Sequence, residues 1–268
     1  MNDTWEISPE TFAAACRMVQ EGMQLKTGIG TLGEKSVHAA LKYCCEPYAD
    51  SREIKVGGYV ADIVGEHGII EIQSAGFGKL RGKLQAFLPL CPVTVVWPCA
   101  ETLWLRSFDP ETGEVRPRRR SPKHQRPADV FRELYSIRDL INSPGFHLKV
   151  ISLEIEELRT LTKTRQRKGR RPCVTKVDRF PLSMYSQLSV DTPEDWGKFF
   201  SFTAPLPEIF TSKEFAASTG LGWDTSRLML KTFAAMNLAV NRGKRGNSFL
   251  FSFTGPLEEK RAAYSIDP

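Results

Sequence analysis

The stretch Tyr59-Val60-Ala61-Asp62-Ile63-Val64-Gly65-Glu66-His67-Gly68-Ile69-Ile70-Glu71-Ile72-Gln73 decides the fold. It reads as two strands, residues 59–64 and 68–73, joined by a tight turn. Side chains alternate between the two faces of a strand, so Glu71 and Gln73 point to the face opposite Ile70 and Ile72. The turn brings Asp62 beside them. The pattern therefore predicts a half-buried hairpin that presents two carboxylates and one amide to a cleft.

Two carboxylates in one cleft are a ligand set for a hard divalent cation. Mg²⁺ or Mn²⁺ takes oxygen ligands, commonly one or two carboxylates together with waters and a substrate phosphate. A bound ion lowers the pKa of a water and neutralises charge on phosphorus. Asp62 and Glu71 therefore predict a metal-dependent phosphodiesterase site. The alternative is that these side chains are only the solvated face of a hairpin.

The elements around the hairpin are predicted from hydrophobic periodicity. Residues 31–44 form a helix, residues 52–56 form a first strand and residues 79–87 form a helix after the hairpin. Residues 92–97 are almost wholly apolar, as in an interior strand that is covered on both faces. The resulting order is helix, three strands, helix, strand. It predicts an α/β fold with a mixed central sheet flanked by helices.

This order of elements and acids resembles the PD-(D/E)xK nuclease superfamily, the restriction-endonuclease-like proteins, over about the first hundred residues. The resemblance implies that Glu34 supports the metal shell from the first helix. It implies that Asp62 and Glu71 are the strand ligands of the metal. It therefore assigns a catalytic role to all three acids.

Gln73 stands where most members of that superfamily have the lysine that polarises the attacking water. An amide cannot supply the positive charge, so a lysine on the following helix is expected to replace it. Lys79 and Lys83 lie four residues apart and therefore on one face of that helix. Of the two, Lys79 is the preferred candidate.

Basic residues cluster in two runs, which flank a predicted helix (residues 127–141) and an alternating strand (residues 147–155). Prolines interrupt the first run, so its charges lie on an extended loop. Arginine binds phosphate oxygens in bidentate geometry, and such contacts give an affinity for nucleic acid that falls as the salt concentration rises. The runs predict contacts with a nucleic-acid backbone, and the plainer alternative is a solvated surface. The residues predicted to bind nucleic acid here are Arg118, Arg119, Arg120, Lys123, Arg126, Arg167, Lys168 and Arg170.

The C-terminal residues resemble a winged helix-turn-helix. Thr211 and Glu214 have the spacing of a capping box at the start of one helix. A second helix follows at residues 224–236, and two strands then flank a basic glycine turn. The resemblance implies that the second helix enters a major groove and that the wing touches phosphates, although many winged helices bind only proteins. The residues predicted to touch DNA are Arg227, Lys231, Arg242, Lys244 and Arg245.

The chain of 268 residues is expected to divide into three parts. Residues 1–190 form the nuclease-like domain with its basic extension, residues 191–207 form a proline-containing linker, and residues 208–268 form a smaller winged-helix domain. A net charge of +6 favours a polyanionic partner. No apolar run is long enough to cross a bilayer, and the N-terminus lacks the pattern of a signal peptide. A cytoplasmic protein without a membrane partner is expected.

Two functions fit these features. The first is a Mg²⁺-dependent endodeoxyribonuclease whose winged helix and basic loops hold double-stranded DNA near Asp62 and Glu71. The second is a non-catalytic nucleic-acid-binding or regulatory protein on a degenerate nuclease scaffold. An adaptor that uses the winged helix for protein partners is a third option. The resemblance also leaves a homodimer open, because cutting two strands needs two sites.

Overall fold

The structure is a computed structural model that describes residues 5–25, 35–162 and 173–266. The α-helices are α1 (Pro9–Leu25), α2 (Ser36–Cys45), α3 (Arg81–Phe87), α4 (Phe131–Leu134), α5 (Ser212–Thr219), α6 (Trp223–Ala235) and α7 (Pro256–Ile266). The strands are β1 (Arg52–Val56), β2 (Tyr59–Gly65), β3 (Gly68–Ile72), β4 (Val93–Phe108), β5 (Arg119–Arg120), β6 (Phe146–Thr162), β7 (Cys173–Val190), β8 (Phe210–Thr211), β9 (Ala239–Arg245) and β10 (Ser248–Phe253). Within the described ranges, every helix is too short or too polar to span a membrane.

Seven strands form one mixed sheet. The order across it is β1, β2, β3, β4, β6 and β7, and the short β5 pairs with β4. The meander from β1 to β3 is antiparallel, whereas β3 with β4 and β4 with β6 are parallel. The long β7 returns antiparallel to β6. The prediction of an α/β fold with a mixed sheet flanked by helices is therefore confirmed.

The sheet buries a different set of side chains on each face, because successive residues of a strand alternate. Ile70 lies in one hydrophobic cluster with Phe12 of α1 and Leu41 of α2. Ile69 lies in the other cluster, together with Leu84 of α3. Helices therefore cover both faces of the hairpin: α1 and α2 pack on one face, and α3 packs on the other.

The turn between β2 and β3 depends on Gly68. Its φ is +83°, a conformation that side-chain-bearing residues rarely adopt. A Cβ atom at this position would lie 2.3 Å from the carbonyl oxygen of Pro92. Gly68 thus lets the hairpin pack against the start of β4, where the Ile69 N–H donates to the same carbonyl at 2.9 Å.

Two predictions of secondary structure in the middle of the chain are wrong. The helix expected at residues 127–141 is instead a 3₁₀ helix (Pro127–Val130), the short α4, and a second 3₁₀ helix (Tyr135–Ile137). The strand expected at residues 92–97 is longer than predicted, because β4 continues to Phe108 with an irregularity between Ala100 and Thr102. Phe131 and Leu134 of α4 are nevertheless buried, so apolar residues of the predicted helix do face the core.

The segment predicted as a linker, residues 191–207, is packed into the core. It contains a 3₁₀ helix (Pro193–Phe199), and Trp196, Phe199 and Phe200 are buried. These aromatic side chains join one hydrophobic cluster that includes Phe131 from the first part of the chain and Phe233 from α6. The two parts of the chain therefore share a core, and the aromatic patch outweighs the linker-like proline content.

The C-terminal part consists of α5, α6 and a small sheet in the order β8, β10, β9. The predicted capping box is present, because the Glu214 N–H donates to Thr211 Oγ1 at 3.3 Å and the Thr211 N–H donates to Glu214 at 2.7 Å. The helix α7 was not predicted. Its Pro256 start and the acidic Glu258 and Glu259 in its first turn are nevertheless ordinary helix-start signals.

Candidate functional site

Asp62 and Glu71 lie on neighbouring strands where the hairpin opens. The backbone pairing of β2 with β3 runs from Gly65 opposite Gly68 to Ile63 opposite Ile70. Beyond that pair the two strands are joined by hydrogen bonds from backbone N–H groups to side-chain carboxylates. The Ile72 N–H donates to Asp62 Oδ2 at 2.9 Å, and the Asp62 N–H donates to Glu71 Oε1 at 3.2 Å. Each carboxylate is thus held by the strand that carries the other.

Cationic side chains of α2 surround Asp62. His38 Nε2 lies 3.2 Å from Asp62 Oδ2, and Lys42 Nζ lies 3.9 Å from Asp62 Oδ1. Burial raises the pKa of Asp62, but the hydrogen bond and charge of His38, together with the Ile72 N–H, hold that pKa below its usual value. Asp62 is therefore ionised over the physiological pH range.

Glu71 has a different partner. Its side chain is buried, and Lys83 Nζ of α3 donates to Oε2 at 2.7 Å and to Oε1 at 3.0 Å. Burial and the nearby charge of Asp62 raise the pKa of Glu71 to about 7, against the opposing effect of Lys83. The raised pKa thus reflects the burial of Glu71 first and the neighbouring negative charge second.

The two acids are contacted from opposite faces of the sheet, Asp62 by α2 and Glu71 by α3. Beside Asp62 lies a cleft of about 580 Å³. Over the described residues, its lining includes Asp62 and Gln73 but not Glu71. The predicted arrangement, with all three side chains in one cleft, is therefore only partly formed, because Glu71 is buried against Lys83.

The walls of the cleft are strongly cationic. Glu157 is buried and anchors two of the cations: Arg179 Nε lies 2.8 Å and Lys176 Nζ lies 3.1 Å from its carboxylate. Burial raises the pKa of Glu157, but hydrogen bonds from Arg179 and from Arg159 bring that pKa down to about 2. The cationic residues that line the cleft are Lys35, Lys42, Lys176 and Arg179, and His38 lines it as well.

The remaining predicted catalytic residues have distinct positions. The side-chain amide of Gln73 donates to the Ala75 carbonyl at 2.5 Å. Lys79 is exposed in the 3₁₀ helix Phe77–Leu80, so the structure places Lys83, rather than the preferred Lys79, against Glu71. Glu34 lies outside the described residues.

The predicted phosphate contacts of the first basic run surround one edge of the sheet. Arg118 stacks over the Trp104 ring at 4.6 Å, and Arg120 reaches Thr102 at 3.4 Å. Arg126 donates to the Gly220 carbonyl at 3.3 Å, which joins this run to the turn before α6. Arg119 and Lys123 are exposed. Arg167, Lys168 and Arg170 of the second run lie outside the described residues.

The predicted contacts of the C-terminal part are partly engaged within the protein. Arg245 forms an ion pair with Glu214 at 2.5 Å, and Arg227 lies 3.6 Å from Asp224. The remaining three contact other side chains: Arg242 donates to Ser252 Oγ, Lys244 lies over the Phe249 ring, and Lys231 approaches the Tyr135 ring.

Sequence reasoning missed the cations that surround Asp62. His38 and Lys42 are four residues apart on α2, so helical spacing could have placed them on one face. Lys176 and Arg179 lie on β7, for which no strand was predicted. They reach the cleft only through the tertiary fold, so local sequence patterns do not predict their position.

The donor chemistry of the two acids fits a hard divalent cation. Both offer carboxylate oxygens, and one or two carboxylates suffice for Mg²⁺ when waters and phosphate complete the shell. Their mutual repulsion, which helps to raise the pKa of Glu71, is the condition that a cation relieves. In the described ranges, no group of three or more His, Cys, Asp or Glu side chains could hold a metal. Two carboxylates would have to suffice.

Known proteins match this chain over most of the region that contains the cleft. The family described as "Domain of unknown function (DUF8091)" matches residues 35–191, more than half of the chain. An "Uncharacterized protein" of Treponema pallidum (strain Nichols) is 29% identical over 237 residues, which cover 87% of this chain and 90% of that protein. No solved structure matches. The matched region begins just before α2 and ends after β7, so it contains the sheet and the cleft.

Proposed function

Because the chain belongs to the family described as a domain of unknown function, DUF8091, its activity has to be inferred from its site, and we propose that it is a metal-dependent nuclease that hydrolyses phosphodiester bonds in DNA. Asp62 and Glu71 are its proposed metal ligands, with Mg²⁺ or Mn²⁺ as the cation. One observation carries this proposal: the two carboxylates lie on neighbouring strands, each held by a backbone N–H of the other strand.

The topology supports the proposal. The order α2, β1, β2, β3, α3, β4, with an antiparallel meander followed by a parallel strand, is similar to the restriction-endonuclease-like core. In that core the acids come from the second and third strands, as Asp62 and Glu71 do here. A fold alone does not specify a function, so the chemistry of the site has to carry the argument.

The chain's own residues prepare both acids for a cation. His38 keeps Asp62 ionised, and Lys83 favours the ionised form of Glu71 against burial. When bound, the metal would supply a water of lowered pKa and neutralise charge on the phosphorus. Lys83 also brings a positive charge to the site from α3, where Gln73 on the strand brings none. We therefore assign to Lys83 the charge-supplying role that was first expected of Lys79.

The cleft and its surroundings suit a polyanionic substrate. Lys35, Lys176 and Arg179 face it, and lysine and arginine side chains neutralise phosphates without reading sequence. The exposed Arg119 and Lys123 lie in the run that Arg126 connects to the C-terminal part. We further propose that this part is a winged helix whose α6 and wing, β9 to β10, add contacts to the same DNA.

A cleavage assay tests the proposal. Purified protein is incubated with supercoiled plasmid and Mg²⁺ or Mn²⁺, alongside Asp62→Asn and, as a matched control, Asp50→Asn at an exposed position outside the cleft. We expect nicking and linearisation by the wild type and by Asp50→Asn, and none by Asp62→Asn. Equal cleavage by all three proteins would indicate a contaminant, and no cleavage by any of them would contradict the proposed activity.

A specific observation favours a second candidate, a non-catalytic nucleic-acid-binding protein on the same scaffold. Gln73 replaces the strand lysine and turns its amide to the Ala75 carbonyl, while Glu71 is already neutralised by Lys83. Such a protein would bind DNA through the cationic cleft without cutting it. Salt-dependent plasmid binding by the wild type and by Asp62→Asn, with cleavage by neither, is the outcome that this candidate predicts.

A further inference from the structure

A second, smaller groove lies between the 3₁₀ helix Tyr135–Ile137, α6 and the β9–β10 hairpin. Its volume is about 210 Å³, and Tyr135, Arg138, Lys231, Asn241 and Phe249 are among its lining residues. Phe249 is 40% exposed, an unusual state for a phenylalanine in a protein whose other aromatic rings largely form the core. The groove is separate from the cleft beside Asp62, with which it shares no lining residue.

Two of the three aromatic rings that line this groove, Tyr135 and Phe249, have a cation over them, and the third, Phe251, is buried. The Arg138 guanidinium lies 4.3 Å from the centre of the Tyr135 ring, and Lys231 Nζ lies 5.9 Å from the same centre. Lys244 Nζ lies 4.8 Å from the centre of the Phe249 ring. Arg138 and Lys231 therefore line the groove together with Tyr135 and Phe249, and Lys244 adds a third positive charge over the Phe249 ring.

These three cations differ from their neighbours. Arg227 and Arg245, on the same helix and hairpin, have carboxylate partners in Asp224 and Glu214. In the part of the chain that the structure describes, neither Arg138 nor Lys231 nor Lys244 has a carboxylate at ion-pair distance. Arg138 interacts with Asp139 only beyond ion-pair distance, so all three cations lie beside aromatic faces without an ion pair in the described residues. Such a surface suits an anionic ligand that contains a ring.

Asn241 adds a polar group to the groove. Its Oδ1 accepts a hydrogen bond from the Gly243 N–H at 2.9 Å, which fixes the side chain. The amide NH₂ is then the group that can donate to a ligand. A nucleotide has the three features that such a ligand needs. Its base can stack on an aromatic ring and accept a hydrogen bond from Asn241, and its phosphate can pair with lysine or arginine.

We propose that this groove binds an unpaired nucleotide of single-stranded DNA, with its base stacked on Phe249 and its phosphate beside Lys244 or Arg138. Base–aromatic stacking combined with a cationic backbone track is the general mode of single-strand binding. A groove of this size admits one base, whereas a duplex keeps its bases stacked inside. The site goes beyond the proposed nuclease and does not require it, since binding here needs neither Asp62 nor a metal.

The test measures binding in EDTA, so that cleavage cannot interfere. The full chain is titrated into a fluorescein-labelled oligodeoxythymidylate of about 16 nucleotides and into a blunt duplex, with fluorescence anisotropy as the readout. The variants are Phe249→Ala, Phe249→Leu and Phe249→Trp. Tyr185→Ala removes an aromatic side chain of similar exposure on β7 and is the matched control.

We expect Phe249→Ala and Phe249→Leu to bind the single strand about tenfold more weakly, the loss of one base stack. Phe249→Trp and Tyr185→Ala should bind it as the wild type does, and duplex affinity should change in none of them. Lys244→Ala should lose single-strand affinity mainly at low salt.

Equal single-strand affinity of the Leu and Trp variants overturns the proposal, and this comparison survives even if Phe249→Ala fails to fold. An equal loss for single strand and duplex overturns it as well, because the groove would then act only through charge. Tight binding of oligouridylate without binding of the DNA strand overturns the assignment to DNA. Whether plasmid is cut in Mg²⁺ is a separate result, so this site and the nuclease proposal can fail independently.

Discussion

The Asp62 and Glu71 carboxylates are both held by backbone N–H groups at the end of one hairpin: the Ile72 N–H donates to Asp62, and the Asp62 N–H donates to Glu71. The strands therefore cannot separate here without depriving two backbone N–H groups of their carboxylate acceptors. Burial and the adjacent charge of Asp62 raise the pKa of Glu71 to about 7, so Glu71 is only partly ionised at neutral pH. A bound cation would relieve the repulsion between these two carboxylates.

The raised pKa of Glu71 predicts a pH-dependent stability. The pKa rises from 4.5 to about 7 on folding, so the folded protein keeps a proton that the unfolded chain releases above pH 4.5. The contribution of Glu71 to the free energy of unfolding is therefore fully present below pH 4.5 and is lost as pH rises to about 7. Glu71→Gln should gain stability relative to the wild type across this window, by on the order of 3 kcal/mol.

Urea unfolding of both proteins in EDTA between pH 4.5 and pH 8 measures this difference. Repeating the series in Mn²⁺ is the control, because a bound cation favours ionised Glu71 and should reduce the difference. A constant difference between the two proteins across the pH range in EDTA would show that Glu71 titrates normally.

Lys83 and Lys79 are predicted to behave differently although both are lysines at the same turn. Lys83→Met leaves buried Glu71 without its cation and should lower the free energy of unfolding by about 3–5 kcal/mol at pH 8. At pH 5, where Glu71 is protonated, the loss should be smaller. Lys79→Met changes only an exposed side chain and should stay within about 0.5 kcal/mol of the wild type. Equal losses in the two variants would remove the case for the Lys83–Glu71 pair.

The shared core predicts a single unfolding transition. Phe131 contacts Trp196, Phe199 and Phe233 with ring centres 5.8, 5.1 and 5.2 Å away. Phe131→Ala should cost about 3–5 kcal/mol and should lower the stability of both parts of the chain together. Far-UV circular dichroism and tryptophan fluorescence should report one coincident midpoint, and Tyr185→Ala at an exposed site should leave that midpoint nearly unchanged. Two separated transitions would restore the predicted boundary at residues 191–207.

The exposed basic run predicts a salt dependence of DNA binding. Each phosphate contact contributes a slope of about −0.9 to log K against log salt for duplex DNA. Arg119→Ala combined with Lys123→Ala should therefore reduce the magnitude of the slope by about 2. Arg17→Ala combined with Lys55→Ala, two exposed cations elsewhere, is the matched control. An unchanged slope in the first double variant would exclude this run from the interface.

The sequence was most informative where apolar and polar residues alternate along a strand. The hairpin and the order of the surrounding elements follow from such patterns, because a strand that is buried on one face must alternate. The long β7 escaped prediction because three register shifts and Pro181 interrupt its alternation. The linker prediction for residues 191–207 relied on prolines, whereas Trp196 and Phe199 in that segment are buried in the structure.

The site was predictable in its acids and not in their partners. Asp62 and Glu71 are visible as charged residues inside otherwise apolar strands. Lys83 lies twelve residues beyond Glu71, and its choice over Lys79 depends on how α3 packs on the sheet. The burial of Glu71 likewise depends on this packing, so the sequence alone could not reveal that one acid faces the cleft while the other is enclosed.

The most direct test of the central claim is crystallographic. Crystals grown with Mn²⁺ should give one anomalous peak whose ion contacts a carboxylate oxygen of Asp62 and one of Glu71, at roughly 2.2 Å from each. Glu71 would then leave its present contacts with Lys83 in favour of the metal. A peak bound by only one of the two acids, or no peak between them at a saturating Mn²⁺ concentration, would contradict a shared metal site.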